Sequence, residues 1–214
     1  MILEKHQKFI ITGDSVTDCG RSYPVGEGND GMGNGYAKYL HAMIDSEYPE
    51  RHIRVQNTGI SGNTSRDLRA RFNEDVLSLS PGLISIMIGI NDIWRQFDSP
   101  NHPEKHVYLD EYADNIVHMI EAALPVVKGI LLVSPCYMVQ TREDAMRAEA
   151  DRYQQSLKEI AAEYRLPYVD AQKSMDRYFK HYSPMAMSWD AVHPNHVGHM
   201  IIAKEIMKTL EGSE

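Results

Sequence analysis

Ser15 lies in the run Thr12-Gly13-Asp14-Ser15-Val16-Thr17-Asp18, just after the apolar stretch Phe9-Ile10-Ile11. A serine hydroxyl is a weak nucleophile until a neighbouring base takes its proton. At the end of a strand and the start of a helix it would be reachable and close to free backbone N–H groups. Taken alone, the run reads more readily as an N-cap or a turn, because Asp, Ser and Thr favour both. A base stands near the other end of the chain, in Trp189-Asp190-Ala191-Val192-His193-Pro194-Asn195. Asp190 and His193 are three residues apart, so one turn of chain can set the carboxylate against the imidazole. A carboxylate bonded to one ring nitrogen fixes the tautomer and leaves the other nitrogen free to accept a serine proton. Pro194 would then sit in the first turn of a closing helix, where its missing N–H costs little.

Acyl transfer also needs donors aimed at a developing oxyanion. Gly59-Ile60-Ser61-Gly62-Asn63-Thr64 offers a glycine turn whose backbone N–H groups can approach a ligand closely. Gly89-Ile90-Asn91-Asp92 places a side-chain amide just after an apolar run. The N–H of Ser15, the N–H of Gly62 and the amide of Asn91 would supply three donors. Each segment alone is a weak signal, since such pairs are common in turns. Trp94, Arg95 and Trp189 flank these segments and are candidates for substrate binding, although an aromatic beside a buried turn more often packs in a core.

These residues need a frame. Strand candidates are Phe9–Thr12, Ile53–Asn57, Leu83–Ile88, Gly129–Ser134 and Pro167–Asp170. Helical periodicity covers Gly35–Ser46, Ser65–Leu77, Leu109–Ala123, Ala145–Tyr164 and Asn195–Leu210. In the last, His196, Met200, Ala203, Met207 and Leu210 form one stripe. Alternating strands and helices predict an α/β protein with a parallel sheet between two helical layers, in the flavodoxin-like order 2-1-3-4-5, as one domain over residues 1–214. In such sheets function gathers beyond the carboxyl ends of the strands. Ser15, Gly62 and Asn91 each follow a strand candidate.

Gly13-Asp14-Ser15, Gly62, Gly89-x-Asn91-Asp92 and Asp190-x-x-His193-Pro194 together resemble, in order and spacing, the four blocks of the SGNH, or GDSL-type, hydrolases. Val16 replaces the usual Leu of the first block. The resemblance implies Ser15 as nucleophile, Asp190 and His193 as its triad partners, and Ser15, Gly62 and Asn91 as the oxyanion hole. It also implies a three-layer α/β/α sandwich and chemistry that needs no cofactor. Longer matches, in Gly13–Gly20, Gly59–Leu68, Ile86–Gln96 and Glu104–Tyr112, resemble the intracellular acetylxylan esterases of Gram-positive bacteria. They imply a serine esterase that deacetylates short xylo-oligosaccharides and assembles as a homo-oligomer. Two other readings stand beside it: an SGNH thioesterase or lysophospholipase acting on longer acyl chains, and a non-enzymatic flavodoxin-like binding protein.

The remaining features narrow the field. A net charge of −8 without any basic run disfavours nucleic acid. The apolar stretch near the N-terminus is too short for a signal peptide and Leu83–Ile90 too short to span a bilayer, so the expectation is a cytoplasmic protein, free of membrane, with a small imported substrate. His193, His196 and His199 invite a metal reading, but no HExxH pattern or cysteine pair accompanies them, and no metal is expected. Cys19 and Cys136 make no disulfide framework and read as inert.

Overall fold

The computed structural model describes residues 3–212, so Met1 and Ile2 of the N-terminal stretch lie outside it. The strands are β1 (Lys8–Gly13), β2 (Arg54–Asn57), β3 (Leu83–Met87), β4 (Gly129–Val133) and β5 (Tyr168–Val169). The helices are α1 (Ser15–Asp18), α2 (Gly28–Gly31), α3 (Tyr36–Glu47), α4 (Ser65–Asp75), α5 (Ile90–Asp98), α6 (Leu109–Ala123), α7 (Ala145–Glu163), α8 (Ala171–Phe179) and α9 (His196–Glu211). All strand pairs are parallel, in the order β2-β1-β3-β4-β5, as the alternation predicts.

Period-two patterning explains the layers. Phe9, Ile11, Leu83, Met87, Leu131 and Val133 point into one core, shared with α3, α8 and α9. Ile10, Ile84, Ile86, Ile130 and Leu132 point into the other, shared with α4, α5, α6 and α7. Strands buried on both faces read as continuous apolar runs, which is why they stand out in the sequence. Val16 fits the first core beside Met32 and Tyr36, so the exchange for leucine is a packing matter.

Four short helices of the described residues are not marked by the sequence, α1 and α2 among them. A third is α5, where Gly89-Ile90-Asn91-Asp92 reads as a turn but is the first turn of a nine-residue helix. The fourth is α8, which falls in a stretch assigned no element. Two details of the last helix also differ. Pro194 precedes the N-cap: Asn195 caps α9, its side chain accepting the Val197 N–H at 3.0 Å. The buried stripe holds Ala203, Met207 and Leu210, but His199 is buried where His196 was expected, and His196 is exposed. No described helix is long and apolar enough to cross a membrane.

Candidate active site

The ends of the chain meet at Ser15. Its Oγ lies 2.8 Å from Nε2 of His193, and Nδ1 of the same ring lies 2.6 Å from Oδ2 of Asp190. Asp190 accepts at Nδ1, so the ring carries its proton there and presents a bare Nε2 to the serine hydroxyl. Asp190 is fixed in turn. Its Oδ1 accepts from the Ser188 hydroxyl at 3.0 Å and from the N–H groups of Val192 and His193 at 3.0 and 2.8 Å. Burial alone would raise this carboxyl, but the bonds from His193 and Val192 outweigh it and hold it down to about 2. The carboxylate therefore stays ionised well below the ordinary carboxylate range.

Ser15 opens α1 beneath the cap of Asp14, whose Oδ1 accepts the Val16 N–H at 3.0 Å. Gly13 ends β1 so close to β3 that a Cβ there would meet the Met87 carbonyl oxygen at 2.1 Å. The turn into Ser15 thus needs glycine for space. On the next loop, Asn63 N–H donates to the Ile60 carbonyl at 3.2 Å around Gly62, whose φ is +84°. That is the third position of a type II turn, natural to glycine. The Asn91 amide donates to the Asn63 carbonyl at 3.0 Å, so α5 holds the same loop. Neither Ser15 N–H nor Gly62 N–H finds a backbone acceptor among the described residues. Ser15, Gly62, Asn91, Asp190 and His193 all stand beyond the carboxyl edge of the sheet.

Several polar residues behind the site were not singled out from the sequence. Asp92 accepts Ser65 N–H at 2.9 Å and the Ser65 hydroxyl, and Asn115 donates to that hydroxyl at 3.0 Å. Asp14 and Asp92 are fully buried. Desolvation lifts both to about 7, against hydrogen bonds from Val16 to the first and from Ser65 to the second. Arg71 of α4 donates to the Asn63 side chain at 2.7 Å, the Thr58 carbonyl at 2.8 Å and the Gly13 carbonyl at 3.1 Å. It ties together the ends of β1 and β2 and the glycine turn. An arginine in a polar helix carries no sequence signal for such a task.

The flanking candidates separate. Trp94 sets its ring edge-on to His193, centroids 5.9 Å apart, and is half-buried against the core. Arg95 lies over the Trp94 ring, pairs with Asp98, and donates to Asn91 Oδ1 at 3.3 Å. Trp189 is 91% exposed and lines a groove of about 650 Å³ with Met138, Val139, Pro184 and Met185, next to Asp190. The three histidines also diverge. His196 is exposed, while His199 is buried, its Nε2 3.3 Å from Cys19 Sγ and its Nδ1 accepting the Tyr36 N–H. No cluster of three or more metal-ligating side chains occurs among the described residues. Burial, with the charges of Asp18 and Asp14, lifts the Cys19 thiol to about 11, and burial lifts Cys136 further, so neither is an activated nucleophile.

Known proteins share this arrangement. A family described as the GDSL-like lipase/acylhydrolase family matches residues 11–201. An acetylxylan esterase of Geobacillus stearothermophilus is 46% identical over 205 residues, covering 95% of this chain and 94% of its own. A crystal structure of an acetylxylan esterase from that species superposes with a TM-score of 0.96 at 45% identity, covering 98% of this chain and 96% of its own. Variants of that esterase with a serine, a histidine or an aspartate replaced by alanine are described as catalytic mutants. An alpha/beta hydrolase from the metagenome of Lake Arreo, Spain, matches with a TM-score of 0.95 at 40% identity over 99% of this chain and 98% of its own.

Proposed function

The chain belongs to the GDSL-like lipase/acylhydrolase family and is an ester hydrolase, and from that premise we propose that it deacetylates short acetylated xylo-oligosaccharides through Ser15, His193 and Asp190. The observation that carries the reading is the unbroken chain from Ser15 Oγ through the His193 ring to Asp190. His193 Nε2 takes the serine proton as Oγ attacks the acetyl carbonyl, and the carbonyl electron pair moves onto oxygen. The N–H groups of Ser15 and Gly62 and the free amide hydrogen of Asn91 receive that oxyanion. His193 then gives its proton to the departing sugar oxygen, leaving acetyl on Ser15. Water, deprotonated by the same ring, attacks the acetyl-enzyme and releases acetate.

The 46% identical acetylxylan esterase supports the substrate class. Trp94 stands beside His193 and Arg95 beside Trp94 and Asn91, where a sugar leaving group would sit. A cytoplasmic location goes with this reading, because short oligosaccharides can be imported and the polymer cannot. A homo-oligomer also belongs to it. Trp189 and Met185, 91% and 87% exposed, form the apolar face that a second copy would cover. The same groove favours the second reading, since an apolar channel beside Asp190 is what a long acyl chain requires.

Initial rates on acetylated xylo-oligosaccharides, aryl acetate, aryl octanoate and an acyl thioester separate these readings. Acetyl esters should lead, with each unaccommodated methylene costing about 1–3 kcal/mol in the transition state. Octanoyl turnover matching acetyl turnover would favour the longer-chain reading. Arg95→Ala should slow the oligosaccharide more than the aryl acetate. Equal losses would trace the effect to Asn91, which Arg95 touches, and remove Arg95 from sugar binding.

A further inference from the structure

Behind the glycine turn, five donors converge on one buried carboxylate. Asp18 is the last residue of α1, so it shares a single helical turn with Ser15, and it is only 4% exposed. Its Oδ1 accepts the N–H groups of Gly20 and Arg21 at 3.2 and 3.3 Å. Its Oδ2 accepts the Tyr23 hydroxyl at 2.9 Å, the Ser61 N–H at 2.9 Å and the Ser61 hydroxyl at 2.7 Å. Burial would raise this carboxyl, yet the bonds from Ser61, Tyr23 and Arg21 hold it below its ordinary value, so it stays charged. The loop lies tight against this helix, because a Cβ on Gly59 would meet the Asp18 nitrogen at 2.5 Å.

What Asp18 grips is the second residue of the turn Ile60–Asn63. The peptide joining Ser61 to Gly62 carries the Gly62 N–H, and a type II turn differs from type I by a flip of that peptide. Glycine at the third position tolerates either state, so the residue type at 62 does not by itself choose the direction of its N–H. A strong acceptor holding both the N–H and the hydroxyl of Ser61 fixes the residue from which that peptide leaves, and so biases the direction in which the Gly62 N–H points.

We propose that Asp18 is a positioning residue for ester hydrolysis, acting through Ser61 to hold the Gly62 N–H towards the reacting carbonyl. The proposal rests on the oxyanion-hole reading given above. Its consequence is specific: loss of Asp18 weakens stabilisation of the tetrahedral oxyanion and leaves substrate binding and the Asp190–His193 pair alone. In Asp18→Asn, either orientation of the amide turns an NH2 group against donors that formerly met oxygen.

The test compares parent and Asp18→Asn protein on aryl acetate and on an aryl trifluoromethyl ketone, whose adduct with a serine bears a tetrahedral oxyanion. We expect kcat to fall roughly ten- to a hundredfold and the inhibition constant of the ketone to rise by a similar factor. KM should stay within about twofold, and the acid limb of kcat/KM should not move. Ser61→Ala removes one of the five bonds to Asp18 and leaves the carboxylate the other four donors. It should show the same signature at a smaller size, about three- to tenfold, and decides the matter if Asp18→Asn does not fold. A fall in kcat with ketone binding unchanged, or full activity in the variants, overturns the role of Asp18. A parent protein that forms no ketone adduct at Ser15 overturns the catalytic reading instead, and the role of Asp18 falls with it.

Discussion

Asn91 has two amide hydrogens, and the carbonyl of Asn63 takes one of them. In the proposed mechanism the other meets the oxyanion, so one side chain would both fix the glycine turn and serve its chemistry. Asn91→Ala should lower kcat by about 10²–10³ while KM moves much less, because the lost interaction grows as negative charge develops. A change confined to KM would assign Asn91 to substrate binding. Asp190 acts through a proton it never takes. With its carboxyl held down to about 2, it stays ionised well below the ordinary carboxylate range, and the role proposed for it is to keep the His193 proton on Nδ1. Asp190→Asn can present an NH2 group to Nδ1 and stabilise the tautomer with its proton on Nε2, which cannot accept from serine. Turnover should fall by about 10⁴, as for other triads that lose this carboxylate. A variant within tenfold of the parent would show that the tautomer is set elsewhere.

The elements that carry these residues are short, and their ends do the positioning. α5 begins at Gly89, whose φ of +131° is closed to other residues and whose Cβ would meet Tyr112 at 2.9 Å. This sharp entry turns Asn91 towards the loop within four residues of the end of β3. Gly89→Ala combines backbone strain with a clash in a packed core, so it should destabilise by about 2–4 kcal/mol, measured as a lowered urea midpoint at constant slope. A loss below 0.5 kcal/mol, the usual range for a surface substitution, would mean that Tyr112 yields and the turn is not strained. α4 starts with a capping box, Thr64 and Asp67 each accepting from the other's backbone N–H. Asp92 holds the Ser65 N–H as well, so the start of α4 and the first turn of α5 move as one piece. The loop of the glycine turn hangs between them.

Across the whole molecule, burial sets a balance of protons. Asp14 and Asp92 are lifted by desolvation to about 7, so folding favours their neutral forms. The stability they bring is complete below the unfolded carboxylate value and is lost as the pH rises through about 7. His199 acts in the other direction. Burial, with the charge of His193, lowers it to about 4, so its contribution is present above the ordinary histidine value and is lost as the pH falls through about 4. Two carboxyls against one imidazole leave a net loss as the pH rises from about 5 to about 8. The melting temperature should therefore drop across that range, and Asp14→Asn should flatten the decline. An unchanged slope in the variant would mean that Asp14 is already ionised at low pH.

The five strands and their order, and the residues that meet at the site, are legible in the chain itself. Doubly buried strands must be apolar throughout, and a triad must be built from a few residue types in spaced blocks. Asp190 and His193 are readable as a pair because three residues of chain set their distance. Other features depend on contacts between distant segments. Asp18 meets Ser61 across 43 residues, and Arg71 meets Gly13 across 58. Nothing in the local pattern of either residue distinguishes an anchor from an ordinary surface charge. The short helix at Ile90–Asp98 eluded periodicity for a related reason. Its start is dictated by Gly89 against Tyr112 and its first turn by Asp92 on Ser65, and both partners belong to other helices. Composition and spacing determine which groups are present and which neighbours along the chain can meet. Only packing decides which buried charges face donors, and hydrogen bonds over such separations form only after the layers have closed around them.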